Sequence, residues 1–354
     1  MSQTTHPPAP PAALYHQIAA LIETARQQVA ATVNLAMVHT YFEVGRMIVE
    51  DEQAGKAKAQ YGKKVLHELA LQLTERFGKG FSKRNLEQMR QFYLAYSIAQ
   101  TPSAQLAKPR FRLSWSHYLV LMRIENPDER SFYEIEAAQN HWSLATLQRQ
   151  YHSSLYERLA LSRDKDEVLK LARDGHTVEK PRDILKNPLA LEFLGLDEKS
   201  AYTESDLEQA LVDKLQHFLL ELGKGFLFEA RQKRFTFDTE HFYVDLVFYN
   251  RLLQCYVLID LKTDKLAHQY LGQMQMYVNY YDRHVKLDHE KPTIGILLCK
   301  QKNNAVVELT LPPNANIYAA EYNLYLPDKL LLQQKLTEWT EEINQEYAGE
   351  GRMG

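Results

Sequence analysis

The sequence predicts a two-domain α+β protein. An all-α N-terminal half with a helix-turn-helix-like segment precedes a C-terminal α/β core in the order α-β-β-β-α-β, a mixed sheet flanked by helices. Three observations predict this. The chain has 354 residues, about twice a usual domain. Apolar residues recur every three or four positions through the first half. After Glu204 the pattern shifts to short, dense apolar runs rich in β-branched and aromatic residues.

The helical half begins with Leu14, Ile18, Leu21, Ile22 and Ala25, continues with Val33, Met37, Tyr41, Val44 and Ile48, and has a third run from Val65 to Phe77. Gly78-Lys-Gly-Phe-Ser82 reads as a turn with Ser82 as N-cap. The helix after it carries Leu86, Met89 and Tyr93 on one face, with Lys83, Arg84 and Arg90 largely elsewhere. Leu113-Ser-Trp-Ser-His117 and Trp142-Ser143 read as two further helix starts with a tryptophan in the core, and His117 as a structural residue. The expected division is a tail over 1–13, a helical domain over 14–160, a charge-rich, proline-containing linker over 161–184 and the α/β domain over 185–345.

In the second half, Glu204 to Leu222 reads as one helix ended by Gly223. Strands are expected over Gly225–Arg231 (continuing toward Phe237), His241–Tyr249 and Leu253–Lys262, with Asn250-Arg251 as a tight hairpin connector. A helix from Ala267 to Asp282, a buried strand from Thr293 to Cys299, a short helix near Ala305 and a last strand from Asn316 to Ala320 complete the order.

Composition sets limits. Hydrophobic residues make up 45% and charged residues 25%, which excludes a disordered or fibrous chain. No apolar run is long enough for a membrane span, and Met1 to Ala12, with four prolines, is not a secretory signal. Two cysteines provide neither a disulfide framework nor zinc-ligand spacing, so the expected location is the reducing cytoplasm. Charge is uneven. Residues 1–180 carry 23 Lys/Arg against 19 Asp/Glu, whereas 181–354 carry 19 against 26. Between Lys56 and Arg112 twelve basic residues face only Glu68, Glu75 and Glu87. Such a surplus attracts a polyanion, and Lys63, Lys64, Lys83, Arg84 and Arg90 are the candidate phosphate contacts.

Two acids interrupt apolar strands. Asp245 sits in Phe-Tyr-Val-Asp-Leu-Val-Phe, and Asp260 follows Tyr-Val-Leu-Ile. Residues two apart share a strand face, so Asp260 and Lys262 point the same way, and a hairpin would bring Asp245 near Asp260. Burying two like charges is costly unless a cation neutralises them. Mg²⁺ or Mn²⁺ suits one or two carboxylates and a backbone carbonyl, from Leu261 or Ile259. Lys262 can then orient a water nucleophile and stabilise charge on phosphorus; Lys265 is its neighbour and alternative.

Asp245, fourteen intervening residues and Asp260-Leu-Lys262 resemble the PD-(D/E)xK nuclease signature, and the element order resembles that superfamily's restriction-endonuclease-like core. More closely, the chain resembles the bacterial YhcG-like family. The matching stretches are Leu207-Glu-Gln-Ala-Leu211, Phe218-Leu-Leu-Glu-Leu-Gly-Lys-Gly-Phe226, Phe242-Tyr-Val-Asp-Leu-Val-Phe-Tyr-Asn250, Gly272-Gln-Met-Gln-Met-Tyr277, Pro292-Thr-Ile-Gly-Ile-Leu-Leu-Cys-Lys300, Phe81-Ser-Lys-Arg-Asn-Leu86 and Leu113-Ser-Trp-Ser-His117. The resemblance spans roughly 14–330. It implies a helical domain fused to a Mg²⁺-dependent nuclease acting on DNA, with Glu208 (or Glu204, one turn earlier), Asp245 and Asp260 on metal and Gln273 supporting the site. It also implies a homodimer or higher assembly and a possible protein partner for the helical half. The third motif is Asp-Leu-Lys where relatives favour Glu-Leu-Lys, and Ala145 and Thr146 stand where relatives tend to carry an Arg-Glu pair. The rival reading is a catalytically silent or partner-triggered DNA-binding or assembly protein that keeps a nuclease fold.

Overall fold

The computed structural model describes residues 12–54, 59–97, 111–163, 165–196, 202–237, 239–312 and 314–338. The proline-rich start, read from sequence as a tail, lies outside them over residues 1–11. The chain divides into two units, residues 1–147 and 148–354, and the whole is α+β. No described helix is long and apolar enough to cross a membrane.

In the first unit lie α1 (Ala12–Ala54), α2 (Ala59–Phe77), α3 (Lys83–Ser97), α4 (Trp115–Leu121) and α5 (Pro127–Gln139); α6 (Leu144–His152) starts there and crosses the division. The two apolar runs at the start belong to one continuous helix, α1, because no Gly or Pro lies between them. Gly45 lets α3 approach α1: a Cβ there would sit 2.0 Å from the Met89 carbonyl oxygen. Leu86, Met89 and Phe92 are the buried residues of α3, and Phe92 meets Phe42, Phe111, Trp115 and Tyr118 edge-on or tilted. Ser82 does cap α3, its Oγ accepting from Asn85 N at 3.4 Å. His117 ties Ser114 Oγ (2.7 Å) to the Trp142 carbonyl (3.0 Å) and is structural.

The second unit contains α7 (Leu155–Ala160), α8 (Lys165–Asp174), β1 (Leu189–Ala190), α9 (Glu204–Asp213), α10 (Leu215–Leu222), β2 (Phe226–Phe237), β3 (Glu240–Asn250), β4 (Cys255–Leu261), α11 (His268–His284), β5 (Ile294–Cys299), α12 (Asn304–Thr310) and β6 (Ile317–Asn323). The six strands form one mixed sheet in the order β1-β6-β5-β4-β3-β2. Hairpin pairs β2/β3 and β3/β4 are antiparallel, while β4/β5, β5/β6 and β1/β6 are parallel. Alternation along the strands feeds two cores. Leu246, Phe248, Val257 and Ile259 pack with Leu207, Leu211 and Phe218 of α9 and α10. Val244, Val247, Leu258 and Leu297 pack with Met274, Tyr277 and Tyr281 of α11.

Two expectations are corrected, and two further features of the fold carried no mark in the sequence. The helix from Glu204 to Leu222 breaks at Lys214, which leaves helical backbone (φ −111°, ψ 29°); both halves bury the same face, so the apolar period does not reveal the break. The connector between β3 and β4 is not Asn250-Arg251. Asn250 pairs with Cys255, and its Oδ1 accepts from Leu252 N (3.0 Å) and Leu253 N (3.1 Å), turning the chain over four residues. Residues 161–184 hold α8 and a turn at Pro181–Ile184, with Leu171, His176, Asp183 and Ile184 buried. β1 carried no signal, since two residues have no periodicity, whereas β6 falls where a strand from Asn316 to Ala320 is expected.

Candidate active site

The β3/β4 register matches Leu246 with Ile259, so one residue further Asp245 stands opposite Asp260. The Asp245 carboxylate is held from two sides. Oδ2 accepts from Leu261 N at 2.8 Å and Oδ1 from Gln232 Nε2 at 2.9 Å. Leu261, whose carbonyl is the expected ligand, also gives its N–H to the site. Asp260 is 2% exposed. Burial, and then the charge of Asp245, pushes its carboxyl well above the ordinary carboxylate range.

Lys262, 7% exposed, shares the Asp260 face as strand alternation requires. Its Nζ lies 3.0 Å from Asp260 Oδ2 and 3.1 Å from Glu204 Oε2, with the Tyr270 ring centroid at 5.1 Å. Burial pulls the ammonium toward neutrality, but Asp260 and Glu204 outweigh it and raise its pKa. Lys262 thus keeps its charge between the two acids.

A capping box starts α9: Thr203 Oγ1 accepts from Asp206 N at 3.1 Å and Asp206 Oδ2 from Thr203 N at 2.9 Å. This places Glu204 in the first turn, facing Lys262, and Glu208 one turn later. Glu208 is 3% exposed. It accepts from Arg231 Nε and from Gln232 Nε2, so the same Gln232 amide touches Glu208 and Asp245. The two rival helix acids thus sit at opposite ends of one row: Glu204 on Lys262, Glu208 on Arg231 and Gln232. Gln273 of α11 donates to the Tyr277 hydroxyl and not to an acid. The Tyr277 hydroxyl is pushed up by burial and, with smaller weight, by the charges of Asp260 and Asp245.

Arg231 and Gln232 had not been singled out in the sequence. They lie in the polar stretch Arg231-Gln-Lys-Arg234, where nothing local marks them. Only the β2/β3 register, shifted by an irregularity between Phe228 and Ala230, puts them against Glu208 and Asp245.

Among the described residues, Glu204, Glu208, Asp245 and Asp260 face Arg231 and Lys262, a surplus of two negative charges. No three or more His, Cys, Asp or Glu converge as a ready ligand set among the described residues. Oxygen donors in excess of local cations suit a hard divalent ion. Asp245 and Asp260, on neighbouring strands, are the residues that fit it best, and Glu208 stands beside Asp245 through the shared Gln232 amide.

In the first unit Lys83 and Arg84 are exposed in the first turn of α3, with Lys83 Nζ 3.9 Å from Glu87. Arg90 is tied to Glu52 at 2.7 Å. The side chains of Lys63 and Lys64 lie outside the described residues.

Comparison with known proteins assigns both halves. Residues 182–337, which hold every acid of the site, match the YhcG PDDEXK nuclease domain. Residues 17–158 match the DUF1016 N-terminal domain. The chain is 38% identical to "Putative nuclease YhcG" of Escherichia coli (strain K12), over 92% of this chain and 94% of the relative. The chain belongs to the YhcG family of PDDEXK nucleases. Two solved structures also match in part: a repair endonuclease from Pyrococcus abyssi, covering 37% of this chain and 50% of that one, and an EndoMS–dsDNA complex, covering 38% and 50%. Both are 17% identical with a TM-score of 0.25. Within the family's nuclease domain lie the half-buried Asp245 of β3, the buried Asp260 of β4 and the buried Lys262 just past its end.

Proposed function

We propose that this protein is a Mg²⁺- or Mn²⁺-dependent endonuclease that hydrolyses DNA phosphodiester bonds in DNA processing, recombination or defence against mobile DNA. One observation carries the reading: Asp245 stands opposite the buried Asp260, with the Lys262 ammonium 3.0 Å from the latter, in a row with two acids more than cations. A divalent cation bound by Asp245 and Asp260 would supply Lewis-acid polarisation of the scissile phosphate. Lys262, held protonated, orients the attacking water and stabilises charge growing on the phosphate oxygens. Tyr277, whose hydroxyl accepts from Gln273 and feels the charges of Asp260 and Asp245, would with Gln273 brace the site from α11. The basic first turn of α3, reached through a five-residue connection from α2, supports DNA contact by the helical half in helix-turn-helix fashion. Cutting both strands of a duplex at one place needs two such centres, so the reading includes a homodimer, measurable by light scattering. Both cysteines are free and buried, which supports a reducing cytoplasmic location.

The test incubates wild-type protein, Asp260→Ala and Lys262→Ala with linear, supercoiled, single-stranded and branched DNA in Mg²⁺, Mn²⁺ or EDTA. Metal-dependent cleavage by wild type alone is expected; equal cleavage by all three would sink the mechanism. The hold of Arg231 and Gln232 on Glu208 favours, as a second reading, a nuclease kept silent until a partner or substrate rearranges the row. That reading expects DNA binding without turnover by the protein alone.

A further inference from the structure

Gln232 hydrogen-bonds both Glu208 and Asp245, and it does so from an unusual backbone. Its φ is +45°, in the left-handed region that a non-glycine residue occupies at a cost. It lies between the pairs Arg231↔Leu246 and Lys233↔Val244, and so stands opposite Asp245 across the hairpin. An amide nitrogen carries two N–H donors. Here one serves the helix acid and the other the strand acid, at 2.9 Å in the latter case. Leu261 N holds the second oxygen of Asp245, and Arg231 holds the second oxygen of Glu208. Each acid is therefore clamped through both oxygens, and Gln232 is the shared member.

We propose that Gln232 is a positioning residue of the metal site, whose amide donors hold Glu208 and Asp245 side by side so that Asp245 is presented to the cation in a single orientation. The inference rests on the metal-dependent nuclease reading and adds a residue to it. The chemistry needs a neutral double donor at this position. A cation would cancel the charge surplus that attracts the metal, and a carboxylate would repel both neighbours. A partner that orients a ligating carboxylate typically changes metal affinity 10- to 100-fold when removed.

Two variants separate the amide from the alternatives. Gln232→Gly accepts positive φ without strain and removes the side chain. Gln232→Met keeps a side chain of similar length and removes the donors. Each is measured for Tm, for Mn²⁺ affinity by calorimetry without DNA, and for kcat and KM on the DNA substrate wild type cleaves best. The expected result is weaker Mn²⁺ binding in both, by about 10-fold or more, with kcat down by a similar factor, KM for DNA unchanged, and the Gly variant at least as thermostable as wild type. Wild-type Mn²⁺ affinity and kcat in the Gly variant would mean that only the turn matters. The same outcome in the Met variant would mean that only the filled space matters. Either result overturns the proposal while leaving the nuclease reading intact. A wild-type protein with no Mn²⁺ affinity overturns that reading, and the proposal with it.

Discussion

Two of the buried ionic groups in the second unit are built on opposite principles. Around Glu221, fully buried, stand Arg158, itself at 0% exposure, Arg149 at 3.7 Å and Lys186, which donates to the Glu221 carbonyl. Ala190 N donates to the same carboxylate at 3.0 Å, and Arg158 also reaches the carbonyls of Ser153 (2.7 Å) and Pro188 (3.0 Å). Burial alone would raise the Glu221 carboxyl, yet Arg158 and Lys186 hold it below its ordinary value. Around Asp260 the balance is reversed, and burial together with Asp245 wins over Lys262. A buried acid that the protein has neutralised from its own chain is structural. Acids left in surplus are where the proposed cation would bring its charge.

That contrast can be broken by substitution. Glu221→Gln should cost the most, about 3–5 kcal/mol in urea unfolding, because it strands the buried Arg158 guanidinium. A loss below about 1 kcal/mol would remove the distinction between the two groups. Next, adding Mg²⁺ at about a hundred times its Kd should stabilise wild type by about 2.7 kcal/mol and leave Asp260→Asn unmoved. Equal stabilisation of both would place the ion elsewhere.

A pH series sharpens the structural side. Burial, then the charges of Arg163, Lys186 and Lys224, press the His176 imidazole down to about 3. A folded pKa below the unfolded value stabilises the protein above about pH 6.5. That contribution is lost as pH falls from there toward 3, at about 1.4 kcal/mol per pH unit. His176→Phe should flatten this limb of the unfolding curve. The smallest effect is expected in the site itself. The folded carboxyl of Asp260 titrates above its unfolded value, so its ionisation opposes folding as pH rises through that range. In metal-free buffer at pH 8, Asp260→Asn should raise stability by about 1 kcal/mol while abolishing cleavage. Destabilisation instead would make Asp260 a structural partner of Lys262.

The sequence alone was enough to single out Asp245, Asp260 and Lys262, because an ionisable residue inside an apolar strand is a local anomaly and the two-residue period fixes its face. The order α-β-β-β-α-β was legible for the same reason: each run reports the burial of its own face. Three features had no such signal. The break at Lys214 leaves the apolar spacing intact. The Arg158–Glu221 pair joins residues 63 apart, each of which reads as an ordinary surface charge. The placement of Arg231 and Gln232 depends on a register shift at Phe228/Ala230, which slides one strand past the other without altering either pattern. Local sequence determined which residues are buried and which acids are out of place. Tertiary structure alone decided their partners, because strand register and helix docking bring charges together across distances that no local period encodes.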